Sequence, residues 1–225
     1  GTFGEAGTYS FYYSHQITSG EGGMIVCHNK QDYEILLSLR SHGWAREKFI
    51  QKKYNKNFAN LDSRFLFVNS GYNLRPTEIQ AAIGLSQFKR KNIFKKNREF
   101  NRNLIIKKVY KNKNFNNQIS FLDVEKNVDP SWFGLAVFVD KKYKDQKFKY
   151  LNYLEKVGIE TRPIISGNFM NQPAIKLYGL NKKQKKFENA QLLENLGFFI
   201  GLHTLKMNSN LAEYVAYNLL KINRV

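Results

Sequence analysis

Histidine is the residue type in this sequence best suited to proton transfer, because imidazole titrates with an unperturbed pKa of about 6.5. Two of the four histidines stand in informative positions: His15 follows a run of serine and aromatic residues, and His42 stands at the expected end of a helix. The helix dipole favours a protonated imidazole at that end, so a capping role for His42 stays open. His28 and His203 lack partners at the spacing of a metal site, and we predict no bound metal.

The position of the first lysine and the number of cysteines limit the chemistry that these residue types can perform in this sequence. A lysine amine condenses with aldehydes, but no lysine occurs before Lys30. Cys27 is the only cysteine, which argues against an internal disulfide and a four-thiolate iron–sulfur site and fits a reducing cytoplasm. We expect a conformational role for Gly20, Gly22 and Gly23 rather than phosphate binding, since the Gly-Lys-Ser/Thr of a phosphate loop does not follow them.

Composition and charge narrow the class of protein. The 42% hydrophobic content suffices for one sizeable core or two modest ones, and the longest apolar run, 132–139, has the length of a buried strand rather than a membrane span. The net charge of +18 attracts phosphates, which keeps a nucleic-acid partner or an anionic small substrate in view. Because the lysines are dispersed and no nucleic-acid-binding motif accompanies them, we favour solvated surface lysines and a cytoplasmic protein without nucleic-acid or membrane partners.

The beginning of the sequence predicts a strand followed by a helix. Residues 22–27 are typical of a short buried strand. Asn29, with an acidic residue three positions later, is a suitable N-cap, and Gly43 is placed to end the helix at His42. The apolar face of this helix consists of Ile35, Leu36 and Leu39.

The next part predicts a loop and a long helix. Residues 44–70 are polar and aromatic with weak periodicity, which predicts an irregular loop. Pro76 suits the first position of a helix that continues, increasingly basic, to about Tyr110. Its narrow apolar stripe consists of Ile79, Ala82 and Ile83.

The remaining sequence alternates strands and helices after a loop over 111–118. The predicted strands cover 119–122, 132–139 and 158–162, and the predicted helices 147–157 and 211–222. Such alternation predicts a layered α/β arrangement. We place a domain boundary near residue 95, with residues 1–95 belonging to a larger domain and residues 96–225 forming a smaller α/β domain.

Three motifs in this order resemble the sugar-aminotransferase family (DegT/DnrJ/EryC1/StrS). The first combines Ser-Phe, a short spacer and Gly-Glu-Gly-Gly within 8–23 with Arg-x-His-Gly at 40–43. The second is Gly-Tyr-Asn-Leu-Arg at 71–75, continued by 77–84, and the third is Gly-Ile-Glu-Thr-Arg-Pro at 158–163. The resemblance implies an aspartate-aminotransferase-like fold, fold type I of the pyridoxal-phosphate enzymes, and a homodimer with shared active sites. The first domain would then be the C-terminal part of the large cofactor-binding domain.

The sequence departs from the family pattern at His15, which stands where the family has its Schiff-base lysine. Imidazole forms no stable imine, so the resemblance implies a non-covalently held cofactor and a histidine base. This substitution resembles the family's 3-dehydratases, which use pyridoxamine phosphate, formed with glutamate as amino donor, to remove the C3 hydroxyl of 4-keto-6-deoxy nucleotide sugars. The single Cys27 favours the members without an iron–sulfur cluster, which act on GDP-4-keto-6-deoxymannose in O-antigen precursor synthesis.

The resemblance also assigns roles to other residues, each with a structural alternative. Ser10 would bind the cofactor phosphate, or be an ordinary turn serine. Asn73 would reach the cofactor phosphate of a neighbouring subunit, or be a loop asparagine. His42 would act at the active site, or cap its helix. Arg162 and Asn168 would contact the nucleotide sugar, or be a packing arginine and a turn asparagine.

Other functions remain open. The protein could be a nucleotide-sugar aminotransferase with a substituted lysine, an inactive family member or, from another class, a basic nucleic-acid-binding module. In the family, the aspartate that pairs with the pyridine nitrogen and the residue that stacks on the ring lie upstream of the segment seen here. Because Gly1 rather than Met opens the sequence, we expect a chain cut at its N-terminus that lacks half of the cofactor pocket and is inactive alone.

Overall fold

A computed structural model of the protein describes residues 2–54, 57–180 and 186–225. The chain divides into two compact units, Gly1–Lys91 and Asn92–Val225. The assignment of the first unit to a larger cofactor-binding domain stays a prediction. Within the described residues, no helix combines the length and apolar character needed to cross a membrane.

The first unit begins with a two-stranded antiparallel sheet of β1 (Ala6–Ser10) and β2 (Gly23–Cys27). Strand β1 was not predicted from the sequence, and the predicted burial of β2 is wrong, since Met24 and Ile25 are 45% and 52% exposed. The apolar run made β2 recognisable as a strand. The burial of β2, however, depends on which other elements cover the sheet. Within the first unit its side chains stay exposed or half-buried.

Helix α1 (Lys30–Arg40) follows the sheet. The predicted N-cap is confirmed, because the side chain of Asn29 accepts a 2.8 Å hydrogen bond from the Asp32 N–H. The predicted end at His42 is wrong: the helix ends at Arg40, and Ser41 is the C-cap. His42 has left-handed backbone geometry with a φ of 64° and therefore cannot continue the helix.

The segment predicted as an irregular loop contains helix α2 (Lys48–Tyr54) and a short 3₁₀ helix at Ser63–Phe65. A small core of Ala45, Ile50 and Leu66 holds it together. These residues are brought together by contacts that are distant in sequence, which a search for periodicity does not detect.

Helix α3 (Glu78–Lys89) begins two residues after Pro76 rather than at it. Thr77 is its N-cap and forms a capping box with Gln80, a Thr-x-x-Gln pattern that was readable in the sequence. The predicted apolar stripe is not buried within this unit, since Ile79 is 74% and Ile83 is 42% exposed. The single long helix of the prediction is divided in two, and helix α4 (Lys91–Lys111) begins after Arg90.

The second unit contains a four-stranded antiparallel sheet in the order β3-β4-β6-β5. Its strands are β3 (Ile119–Phe121), β4 (Gly134–Val139), β5 (Thr161–Arg162) and β6 (Gly197–Gly201). Its helices after α4 are α5 (Lys147–Lys156), α6 (Pro173–Leu177), α7 (Glu188–Leu196) and α8 (Ser209–Leu219). Elements α6, α7 and β6 were not predicted from the sequence. The strand predicted over 158–162 is too long, because only Thr161 and Arg162 pair with β6.

The core of the second unit lies between the sheet and its helices. Alternate residues of β4 are buried, as expected for a strand with one face on a core. Tyr150 of α5 is fully buried against Phe198 of β6, with their ring centroids 5.8 Å apart in edge-to-face geometry. The hydroxyl of Tyr150 donates a 2.7 Å hydrogen bond to the carbonyl of Leu219, so its polar atom is satisfied inside the core.

Two arginines of α4 are structural. The Arg98 side chain donates to the Leu202 carbonyl, and Arg102 donates to the Leu122 carbonyl while its guanidinium lies 4.2 Å from the centre of the Trp132 ring. Burial lowers the pKa of both guanidinium groups. Two of the basic side chains of this helix therefore form structural contacts within the second unit.

Candidate functional site

The connection between β1 and β2 carries His15. Its two ends are joined by a 2.8 Å hydrogen bond from the Phe11 N–H to the Gly22 carbonyl, and the His15 N–H donates to the Tyr12 carbonyl at 3.0 Å. The His15 side chain is exposed, with its ring edge-on to Tyr12 at a centroid distance of 5.8 Å. An exposed imidazole on a closed loop can exchange protons with a bound molecule.

Ser10 is the last residue of β1 and pairs with Gly23 of β2. Its side-chain oxygen accepts a 3.3 Å hydrogen bond from the Tyr12 N–H. A hydroxyl that accepts one hydrogen bond can still donate its own hydrogen, for example to a phosphate oxygen.

The glycines of this segment have conformational reasons. Gly20 has a φ of 82°, which a residue with a Cβ adopts only at a cost. A Cβ on Gly22 would lie 2.5 Å from the Ser19 hydroxyl oxygen, and one on Gly23 would lie 3.3 Å from the Tyr9 carbonyl oxygen. These contacts support the conformational role expected for the three glycines.

The structure brings His42 and Asn73 together. Ser41 and Asn73 form an antiparallel bridge, and the His42 N–H donates a 2.7 Å hydrogen bond to the Tyr72 carbonyl. Both His42 and Asn73 are exposed. The Arg-x-His-Gly part of the first motif and the second motif are thus neighbours in the first unit, which their separation in the chain did not predict.

The turn that carries His42 is tightly constrained. Gly43 has a φ of 82°, and a Cβ there would lie 1.6 Å from the Asn69 carbonyl oxygen. A Cβ on Gly71 would lie 2.4 Å from the Gly43 nitrogen. A non-glycine residue in the left-handed region is uncommon, and such strain concentrates at functional sites. The left-handed residue His42 directly follows the C-cap Ser41, a position where such geometry commonly ends a helix, and its active-site assignment stays a prediction.

The second unit carries Arg162 and Asn168. Arg162 is exposed at the end of β5, where its side chain donates to Glu160 at 2.8 and 3.0 Å. Asn168 is buried: its side-chain oxygen accepts from the Met170 N–H at 3.2 Å, and its amide donates to Gln191 at 3.0 Å. The side chain of Asn168 thus has a structural role, and the substrate-binding assignment of both residues stays a prediction.

The sequence analysis missed two features beside Asn168. Gln191 and Glu194 of α7 hydrogen-bond to the loop after β5, and Ile165 in that loop has a φ of 50°. The spacing of Gln191 and Glu194, one helical turn apart, was the available signal, but it is informative only once the helix is recognised.

Metal-binding side chains are not clustered in the described part of the chain. Over residues 2–54, 57–180 and 186–225, His, Cys, Asp and Glu form no group of three or more that could hold a metal ion. His28 and His203 instead contact the backbone, at the Thr2 carbonyl and the Leu205 N–H.

Comparison with known proteins identifies the relatives of this chain. The DegT/DnrJ/EryC1/StrS aminotransferase family matches residues 1–219. A GDP-4-keto-6-deoxy-D-mannose 3-dehydratase from Escherichia coli O55:H7 is 34% identical over 210 residues, which cover 92% of this chain and 52% of that enzyme. The chain spans about half the length of the curated relatives it matches.

Solved structures of related enzymes share the fold. The E. coli GDP-4-keto-6-deoxy-D-mannose-3-dehydratase with bound hydrated PLP matches 97% of this chain and 55% of that chain, with a TM-score of 0.79 and 29% identity. A variant of a GDP-4-keto-6-deoxymannose-3-dehydratase with one histidine replaced by asparagine and GDP-perosamine bound matches the same shares, with a TM-score of 0.78 and 30% identity. The predicted aspartate-aminotransferase-like fold class is thereby confirmed. The chain belongs to the DegT/DnrJ/EryC1/StrS aminotransferase family.

Proposed function

We propose that this protein removes the C3 hydroxyl from a 4-keto-6-deoxy nucleotide sugar, with GDP-4-keto-6-deoxymannose as the favoured substrate. The observation that carries the proposal is His15 within a motif that matches the family pattern nearly throughout, where the resemblance implies the Schiff-base lysine. The similarity to enzymes named as 3-dehydratases supports it. The product would enter deoxysugar synthesis for lipopolysaccharide.

The donor groups of the first unit fit a pyridoxal or pyridoxamine phosphate. Ser10 offers a hydroxyl to the phosphate, and the exposed amide of Asn73 suits the phosphate of a neighbouring subunit in a homodimer. The net charge of +18 favours binding of an anionic cofactor and substrate. When bound, the cofactor supplies an amine for the sugar ketone and a conjugated ring that withdraws electrons.

Residues of this chain would carry out proton transfer and substrate binding. His15 would accept a proton from the C4′ carbon of the bound cofactor. Imidazole cannot take the covalent role of lysine, so it would serve as a base only, and the cofactor would supply the electrons for loss of the C3 hydroxyl rather than for amine transfer. His42 would donate a proton to the departing oxygen, and Arg162 and Asn168 would contact the nucleotide sugar.

A reduction experiment with matched variants tests the role of His15. Borohydride treatment of the full-length wild-type protein with pyridoxal phosphate should leave no covalent adduct by mass spectrometry. His15→Lys should give one adduct and suppress dehydration, while His15→Asn should suppress dehydration without an adduct. Unchanged deoxygenation in His15→Lys would remove His15 from the mechanism.

The main alternative is a nucleotide-sugar aminotransferase, which the family's name keeps in view. The two reactions give products of different composition from the same sugar, with glutamate as amino donor. A dehydratase yields a 3-deoxy-4-keto sugar and free ammonia, whereas an aminotransferase yields an amino sugar that retains its C3 oxygen. Mass spectrometry of the products distinguishes them, and a nucleotide sugar that gains an amino group and keeps its C3 oxygen would replace the proposed function by the alternative.

A further inference from the structure

We propose that Glu194 is a positioning residue whose carboxylate fixes the loop over residues 163–172, which begins directly after Arg162 and contains Asn168. The inference rests on the proposed function, since that function assigns nucleotide-sugar binding to these two residues. It adds a residue that neither the family motifs nor the roles assigned above include.

Hydrogen bonds from the loop converge on one face of α7. The Glu194 carboxylate accepts the Asn168 backbone N–H at 2.7 Å and the Asn171 side-chain amide at 2.9 Å. Gln191, one turn earlier, accepts from the side-chain amides of Asn168 and Asn171 at 3.0 and 3.1 Å. The second half of the loop is therefore bound to the helix through both its backbone and its side chains.

The loop backbone also packs closely against Glu194. Gly167 has a φ of 63°, and a Cβ there would lie 2.6 Å from the Cβ of Glu194. Ile164 is near the end of the same helix, since a Cβ on Gly197 would lie 2.8 Å from its Cδ1. These contacts leave the loop little freedom to shift along α7.

Ile165 lies at the exposed part of this loop. Its φ of 50° is an outlier for a β-branched residue, and 82% of it is exposed, so its own burial cannot hold it there. The anchors on either side must hold it: β5 pairs with β6 before it, and Glu194 binds Asn168 after it. A strained segment fixed at both ends is the arrangement expected where a loop must be presented to a ligand.

The charge of Glu194 strengthens this anchor. The hydrogen bond from the Asn168 backbone lowers the pKa of Glu194, with smaller contributions from the Asn171 and Gln191 side chains and the charge of Lys147. The Lys147 ammonium donates to the Glu194 carbonyl at 2.8 Å. Hydrogen bonds to an ionised acceptor are shorter and stronger than neutral ones, so the ionised carboxylate is the form that fixes the loop.

The test compares Glu194→Ala and Glu194→Gln with the control Glu188→Gln, an exposed residue of the same helix, in the full-length protein. The first readout is hydrogen exchange of the backbone amides of residues 167–171. We expect exchange about tenfold faster in Glu194→Ala, an intermediate rate in Glu194→Gln, which keeps one acceptor oxygen, and no change in the control. Thermal melting verifies that each variant folds.

The second readout is steady-state turnover of GDP-4-keto-6-deoxymannose. We expect KM to rise about tenfold in Glu194→Ala with kcat within about twofold, since a misplaced binding loop weakens substrate binding rather than proton transfer. Unchanged exchange at Asn168 overturns the proposal, and so does faster exchange with an unchanged KM. A wild-type protein that does not turn over the sugar overturns the proposed function first, whereas normal wild-type turnover with an unaffected Glu194→Ala variant overturns this inference alone.

Discussion

The two units differ in how much apolar surface each buries by itself. The core of the second unit joins α4, α5 and α8 to the sheet and includes Tyr150, Phe198 and Leu219, all fully buried. The core of the first unit consists of Ala45, Ile50 and Leu66. The second unit therefore contains the larger source of hydrophobic stabilisation.

The first unit nevertheless carries His15, His42, Ser10 and Asn73. Its helix α3 is without a buried residue, and it exposes Ile79, Ile83, Leu85 and Phe88. The predicted site residues are held instead by backbone hydrogen bonds and by glycines that allow close approach. In this chain, which spans about half the length of its relatives, the candidate residues His15, His42, Ser10 and Asn73 lie in the unit with the smaller core, while the larger core supports the segment with Arg162 and Asn168.

The largest effect should come from the second core. Phe198→Ala should lower the free energy of unfolding of the second unit by about 3–5 kcal/mol, because it removes a fully buried ring and leaves a cavity. The matched change in the first unit, Ile50→Ala, should cost about 2 kcal/mol, because fewer neighbours surround it. Denaturant unfolding followed by Trp132 fluorescence in a Trp44→Phe background, and by Trp44 in a Trp132→Phe background, reads the two units separately.

If Ile50→Ala destabilises its unit as much as Phe198→Ala destabilises the other, the difference in core size does not govern stability. Coincident unfolding transitions in the two single-tryptophan backgrounds would argue in the same direction. Such results would mean that the units unfold as one cooperative body.

The second test concerns the turn at His42. Gly43→Ala should destabilise the first unit by about 2 kcal/mol or more, because the new Cβ meets the Asn69 carbonyl in addition to the cost of the left-handed backbone. Gly20→Ala is the matched control: Gly20 has the same φ of 82° but nothing within 4 Å of an added Cβ, so about 1 kcal/mol is expected. Denaturant unfolding followed by Trp44 measures both, and equal losses would show that the close approach to Asn69 is unimportant.

The smallest expected effect is on the pH dependence of the free energy of unfolding, which should differ between the carboxylates of Glu194 and Asp62. The pKa of Glu194 is lowered in the folded protein, so its stabilising contribution is present above the usual glutamate pKa of about 4.3 and is lost as the pH falls through the folded value. The difference in free energy of unfolding between wild type and Glu194→Gln should therefore be constant near neutral pH and shrink during acidification.

Asp62 provides the contrast in the first unit. Arg64 lowers its pKa to about 2, but the pair is exposed and only two residues apart, so it can form in the unfolded chain as well. Asp62→Asn should leave the acid unfolding midpoint unchanged. A shift as large as that of Glu194→Gln would contradict this distinction.

Local signals in the sequence predicted the elements that local chemistry specifies. Asn29 predicted the start of α1 because an N-cap satisfies a free N–H within three residues. The apolar run that contains β4 predicted a buried strand because its length suits a strand rather than a membrane span. Elements without such signals, including β1 and α7, were missed, because their stability comes from partners elsewhere in the chain.

For the motif residues too, some properties are visible in the sequence and others depend on long-range contacts. Their types and order identified the family and selected His15, since a missing lysine is visible without a structure. The left-handed backbone of His42 and its hydrogen bond to Tyr72 were not visible, because they depend on the contact of two separated segments.

By itself, the sequence determined the family, the fold class and the identities of the candidate chemical groups, because each is a pattern of residue types along the chain. Only the tertiary structure decided which apolar faces are covered, which motif segments meet and that Glu194 binds Asn168 across 26 residues. The physical reason is that burial and long-range hydrogen bonds depend on which surfaces come together. Short-range patterns of residue types do not specify that.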